Sequence, residues 1–131
     1  MKRLICCLLL ALGFSTAARA DGLPEWSIWK NPRDSLLVIS LVDTAAGTFS
    51  GTFINNAKGY KCAGFGVPIK GKINGSNLVF VANFAPCVNT ITAWKGTLAD
   101  KTISTSWQLW SADDDGNFKD LKNDDVFTRV N

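Results

Sequence analysis

The 131-residue chain contains no histidine. The commonest general base and metal ligand is therefore missing, and no Ser, Cys or Lys stands beside an evident base, so nucleophilic catalysis lacks its usual parts. A carboxylate pair is absent as well, because Asp124 and Asp125 are adjacent and on a strand would point to opposite faces. No segment has an amphipathic helical period of useful length, which argues against a helical bundle. Internal repeats and low-complexity segments are lacking too. The longest apolar run, Leu4 to Phe14, is too short to span a bilayer.

That run sits in "MKRLICCLLLALGFSTAARADG", behind Lys2 and Arg3 and ahead of Ala18-Arg19-Ala20. The layout is that of a secretory signal peptide over residues 1–20, cleaved after Ala20, with the product in the periplasm or the medium. The expected mature domain, residues 21–131, is long enough for one modest core. Cleavage also removes Lys2, Arg3 and Arg19, which lowers the basic count from 14 to 11 against 11 acids. The formal charge of +3 thus belongs to the signal, and composition gives no reason to expect a nucleic-acid partner or, after cleavage, a membrane.

Cys6 and Cys7 leave with the signal, Cys6 lying too early for a lipoprotein cleavage site. Cys62 and Cys87 remain. In an exported chain an even pair reads as a disulfide, the other reading being two buried free thiols. Two cysteines without histidine make a poor metal site. The acidic run Asp113-Asp114-Asp115-Gly116-Asn117 reads as a solvated loop tip, with calcium binding as the other possibility, and no metal site is assigned.

Turn signals recur at short spacing, with runs rich in Val, Ile, Thr, Phe and Trp between them. They predict eight strands, at about 26–31, 35–43, 48–55, 67–74, 77–84, 90–98, 102–110 and 125–130, with a loop from Ser111 to Asp124. Asn74-Gly75 is the strongest hairpin signal and suggests a type I′ turn. Connections that are nearly all hairpins favour an all-β, eight-stranded antiparallel up-and-down β-barrel over a seven- or eight-stranded sandwich. A barrel of that size is filled by side chains or holds one small ligand.

Alternation assigns the inward faces. In "NTITAWKG", residues 89–96, Thr90, Thr92 and Trp94 share one side. Trp29 with Asn31, Phe49 with Gly51, Phe53 and Asn55, Leu78 with Phe80, Ala82 and Phe84, and Ile103 with Thr105, Trp107 and Leu109 form further sets. Any single aromatic here is ordinary barrel filling. Asn31, Asn55 and Asp125, however, each fall at a predicted strand end beside inward aromatics, where burial without a partner would cost a few kcal/mol. Greasy walls with a few fixed polar groups are the usual form of a small-molecule site.

Six segments in order carry a resemblance: "WKNPRDS" at 29–35, "GTFSGTFINNAKG" at 47–59, "VPIKGKING" at 67–75, "TITAWKG" at 90–96, "ISTSWQLW" at 103–110 and "DVFTRV" at 125–130. With these the chain resembles the avidin–streptavidin family of biotin-binding β-barrels. It is most similar to the short bacterial members whose disulfide ties the two ligand-covering loops, with Cys62 and Cys87 in the matching places. The resemblance implies a non-catalytic protein with biotin as ligand and no cofactor. Asn31 and Ser35 would donate to the ureido oxygen, and Asp125 and Asn55 would accept from the ureido N–H groups. Thr92 would meet the ring sulfur, Thr90 would lie near the valeryl carboxylate, and Trp94 and Trp107 would be apolar walls.

Two positions depart from the family pattern: Phe53 replaces the usual tyrosine of the ureido-oxygen site, and Phe84 replaces a tryptophan. Losing that hydroxyl should cost on the order of 1–3 kcal/mol, hence binding weaker than that of the best members. Short disulfide-bearing members are commonly dimers, so a homodimer is expected, with the homotetramer as the other assembly. Phe118 stands near the place where tetrameric members carry a tryptophan over a neighbouring site. Competing readings are a lipocalin-type carrier, which predicts a longer chain and a purely apolar cavity, and a barrel that has lost biotin binding and binds another ligand or serves as an interaction module.

Overall fold

Each predicted strand has one face rich in large apolar side chains, and in the computed structural model these faces are turned together. The structure describes residues 22–85 and 87–131; the expected signal peptide lies outside the described residues. The strands are β1 (Ser27–Lys30), β2 (Leu36–Asp43), β3 (Thr48–Ile54), β4 (Gly66–Asn74), β5 (Asn77–Asn83), β6 (Thr90–Ala99), β7 (Thr102–Ala112) and β8 (Phe118–Arg129). Each pairs antiparallel with the next, and β1 pairs with β8, so the sheet is a closed eight-stranded barrel and not a sandwich. Closure leaves the barrel without free strand edges.

In β1, β3, β5, β6 and β7 the core follows the expected parity. Trp29, Leu37, Phe53, Ile69, Phe80, Trp94, Ile103 and Phe127 are buried inside, while Val79, Val81, Ile91 and Lys95 face out. Phe80 and Trp94 are cross-strand partners whose rings stack at 4.8 Å and 12°. Phe53 lies 4.8 Å from Trp94, and Phe127 meets both phenylalanines edge-on. Burying a side chain of this size stabilises by roughly 1.5–3 kcal/mol, and aromatic pairing adds to that. The fully buried Trp29 indole would be costly if unpaired, but its Nε1 donates to Ser27 Oγ at 2.8 Å, and Ser27 Oγ donates to the Pro24 carbonyl at 2.6 Å.

Three local expectations change. The predicted loop from Ser111 to Asp124 shrinks to a tip at residues 113–117, because β7 runs on to Ala112 and β8 already starts at Phe118. Residues 118–124 are exposed on both faces, so they carry no hydrophobic alternation from which a strand could be read. Asp125 accordingly lies within β8, opposite Thr105, and not at a strand end. The β4–β5 hairpin is present, but its two loop residues are Gly75 and Ser76, and only Gly75 has positive φ (61°), as in a type II′ turn.

At the new tip, Asp113 Oδ1 accepts the N–H groups of Asp115 (3.0 Å) and Asn117 (2.9 Å). The Asn117 amide, first among several donors, lowers the Asp113 pKa. The Asp113 carboxylate thus organises its own turn.

The register of β2 shifts between Ile39 and Leu41, opposite Gly51 of β3. A Cβ at Gly51 would overlap the Val38 carbonyl oxygen of the facing strand. Because the obstacle is backbone, relief requires moving the ladder. Gly51→Ala should therefore destabilise the fold by about 3 kcal/mol, measured by denaturant unfolding; a loss below about 1 kcal/mol would show that this close approach is not needed.

Candidate ligand-binding site

The β1–β2, β3–β4, β5–β6 and β7–β8 connections share one end of the barrel, and a cavity of about 140 Å³ opens there. The β1–β2 turn supplies Asn31 and Ser35, and the end of β3 supplies Phe53 and Asn55. Phe84 follows β5, and Thr90, Thr92 and Trp94 project from β6. Trp107 of β7 and Asp125 of β8 complete the wall. All ten residues named from the sequence thus line one space. Concavities of larger volume, such as the groove along Thr44–Gly47, Lys72 and Lys95, lie outside the barrel.

Three lining residues were not among those ten. Leu109 lies on the same inward face of β7 as Trp107, so alternation had placed it inside without giving it a role. Arg33 in the β1–β2 turn and Tyr60 in the β3–β4 loop carry no periodic signal, because loops have none.

The polar groups are held in place before any ligand arrives. The β1–β2 turn is closed by Asn31 N–H to the Ser35 carbonyl (3.1 Å) and Asp34 N–H to the Asn31 carbonyl (3.1 Å), with Asp34 at φ 64°. Asn31 Oδ1 accepts the N–H groups of Ser35 (2.9 Å) and Arg33 (3.0 Å). Its amide orientation is thereby set, and Nδ2 donates to Asp125 Oδ2 at 2.7 Å. The bond links residues 94 positions apart and fixes the carboxylate against the first turn. Thr105 Oγ1 donates to the Asp125 carbonyl at 2.9 Å and steadies β8 at the same level.

Ser35 Oγ accepts the Asn56 N–H (3.0 Å) and donates weakly to Asn55 Oδ1 (3.4 Å), which also accepts the Ala57 N–H (2.9 Å). On the other side, Phe53, Phe84 and Trp94 form an aromatic wall. The arrangement presents a carboxylate, two amides and two threonines to a small, largely apolar space. It suits a compact ligand with both N–H donors and a carbonyl acceptor, and it offers no nucleophile and base pair for catalysis.

The sequence pattern that defines the Avidin family matches residues 24–130. The chain belongs to the avidin family. Afifavidin of Afifella pfennigii is 32% identical over 124 residues, which cover 88% of this chain and 76% of that protein. Among solved structures, the bradavidin2–biotin complex is 42% identical with a TM-score of 0.75, covering 82% of this chain and 99% of the other. The rhizavidin–biotin complex is 28% identical with a TM-score of 0.72, covering 82% and 93%.

In this avidin Cys62 and Cys87 form a disulfide. It joins the β3–β4 loop, which carries Tyr60, to the β5–β6 loop, which follows Phe84. Each loop is also folded on itself, by Gly64 N–H to the Asn55 carbonyl (3.0 Å) in one and Cys87 N–H to the Phe84 carbonyl (2.9 Å) in the other. Such a link across 25 residues restricts the unfolded chain and holds both rims of the cavity together. Its reduction should lower stability by roughly 3 kcal/mol. Thermal unfolding with and without reductant checks this, and an unchanged Tm in protein shown to be fully reduced would contradict it.

Proposed function

We propose that this avidin is an exported protein that binds one biotin per barrel. The supporting observation is the convergence of Asn31, Ser35, Asn55 and Asp125 at one end of a cavity otherwise walled by Phe53, Phe84, Trp94 and Trp107. Avidins bind biotin as a ligand and are not enzymes, and the bradavidin2 and rhizavidin structures hold biotin in the same fold. In this reading Asn31 and Ser35 donate to the ureido oxygen, while Asp125 and Asn55 accept from the ureido N–H groups. A charged acceptor makes the stronger kind of hydrogen bond. Thr92 meets the ring sulfur, Thr90 lies towards the carboxylate tail, and the aromatic faces cover the bicyclic ring.

Phe53 is the weak point of this set. It is buried against Trp94, Phe84 and Phe127 and has no hydroxyl to offer the ureido oxygen. Calorimetric titration of the oxidised domain, residues 21–131, should give one biotin per chain. Phe53→Tyr should tighten binding by roughly one to two decades. No detectable heat from folded protein would favour the other reading, a barrel that has lost biotin and serves as an interaction module; unchanged affinity in Phe53→Tyr would remove the explanation for weaker binding.

The assembly proposed is a homodimer. The outward face of β4 to β8 carries exposed Val79, Val81, Ile91 and Trp110 around Lys95, with Lys70 and Lys72 on one flank and Asp120, Lys122 and Asp124 on the other. A two-fold axis parallel to the strands through such a face sets Lys70 and Lys72 against the partner's copies of Asp120 and Asp124. Native mass spectrometry of the exported protein should give twice the mass of residues 21–131. Four chains would overturn the dimer, and retention of residues 1–20 would overturn cleavage after Ala20.

A further inference from the structure

The end of the barrel opposite the candidate site is closed by the segment ahead of β1 and by the β4–β5 and β6–β7 turns. Leu23 is buried in the core, and the Ser27 hydroxyl holds the Pro24 carbonyl at 2.6 Å, so the chain enters the barrel along a fixed line. A second cavity, of about 470 Å³, lies there. Its lining includes Gly22 and Pro24 of that segment, Ser76 of the β4–β5 turn, Asp100 and Lys101 of the β6–β7 turn, and Arg129 of β8.

Arg129 follows the buried Phe127 by two positions on β8 and shares its inward face. The Arg129 Nε is buried and, among the described residues, has no hydrogen-bond partner. Its backbone N–H donates to the Lys101 carbonyl at 2.8 Å, which brings two cationic residues to one wall. Among the described residues the one ion pair is Lys30 with Asp34, so neither Arg129 nor Lys101 is neutralised there. A charged group whose buried donor lacks an acceptor is costly, and a carboxylate is the acceptor that matches a guanidinium best.

Gly22 decides which carboxylate is at hand. Asp21 immediately precedes it, one Cα step of about 3.8 Å away. Glu25, the other acid of the segment, is engaged elsewhere, since its Oε1 accepts the Val42 N–H at 3.0 Å. With cleavage after Ala20, the reading on which this inference rests, Asp21 becomes the first residue and carries both a carboxylate and a free ammonium. The cavity offers the complementary set, two cations and the carboxylate of Asp100.

We propose that the Asp21 carboxylate occupies this second cavity against Arg129 and Lys101, with its ammonium towards Asp100. The first residue of the processed chain is then latched to the strand that closes the barrel. Because Arg129 is paired in register with Trp29, the latch fastens the β1–β8 seam by side chains where the ladder is shortest.

The experiment uses the exported protein and its variants, with the first residue of each read by intact mass. A first residue other than Asp21 in the unaltered protein overturns the cleavage reading and this inference together. Where the chain starts at Asp21, Asp21→Asn should lower the Tm at low salt by roughly 2–5 °C, and the loss should shrink at high salt. In a Lys101→Gln or an Arg129→Gln background the same substitution should cost less, because a partner is already gone. Lys101 is exposed, so its background carries the comparison even if Arg129→Gln fails to fold. Inorganic phosphate, compared with chloride at equal ionic strength, should raise the Tm of Asp21→Asn and leave that of the unaltered protein in place. An unchanged Tm in Asp21→Asn, or the same loss with and without Lys101→Gln, would overturn the latch while leaving cleavage and biotin binding intact. Phosphate that stabilised both proteins alike would overturn it too, by making a free anion the occupant.

Discussion

Closure of the barrel by β1 and β8 is the contact on which the rest depends, and it is made by little. Only Trp29 with Arg129 and Lys30 with Thr128 are paired in register. Beyond them the seam is lengthened by Val130 N–H to the Ile28 carbonyl at 2.8 Å and by Asn131, whose side chain accepts from Ile28 N–H and donates to the Trp26 carbonyl. The fully buried Trp29 stands at this seam, so the shortest strand carries one of the largest buried side chains. Backbone pairing and burial reinforce each other there: opening the seam would both free strand edges and expose an indole.

The site inherits its geometry from the same seam. Asn31 follows β1 directly and Asp125 lies in β8, so their 2.7 Å bond exists only when the two strands meet. A carboxylate facing an apolar space is expensive unless donors are fixed beside it. One donor comes from Asn31, whose amide is oriented by two N–H groups of its own turn. The turn, the seam and the carboxylate therefore form one connected set. The aromatic wall opposite them is rigid for a different reason, the mutual packing of Phe53, Phe80, Trp94 and Phe127 across strands distant in sequence.

What could be read without coordinates divides along the barrel axis. Inside the barrel each strand has one wet and one dry face, and Thr90, Thr92 and Trp94 declare that parity with no knowledge of their neighbours. Beyond the barrel rim the signal disappears. Lys119 to Asp124 are solvated on both sides and pair with β7 through the backbone ladder and the Gln108 amide on the Asp120 carboxylate, with no buried face, which is why the last strand begins seven residues before its expected start. Arg33 and Tyr60 escaped notice for the same reason, since a loop residue reaches a cavity by the path of its loop and not by alternation. The cysteine pair was legible because two remain outside the expected signal, and its partners are indeed Cys62 and Cys87.

The sequence by itself determined the parity of β1, β3, β5, β6 and β7, the all-β hairpin order and the identity of ten residues that line the cavity. These are local properties, set by a two-residue repeat and by turn chemistry. Only the tertiary structure decided that Asn31 and Asp125, 94 positions apart, share a hydrogen bond, how small the cavity is, and that Arg33 and Tyr60 line it. Those depend on how far each strand is staggered against the next around a closed sheet. No single strand carries that information, because register is settled by all eight ladders together.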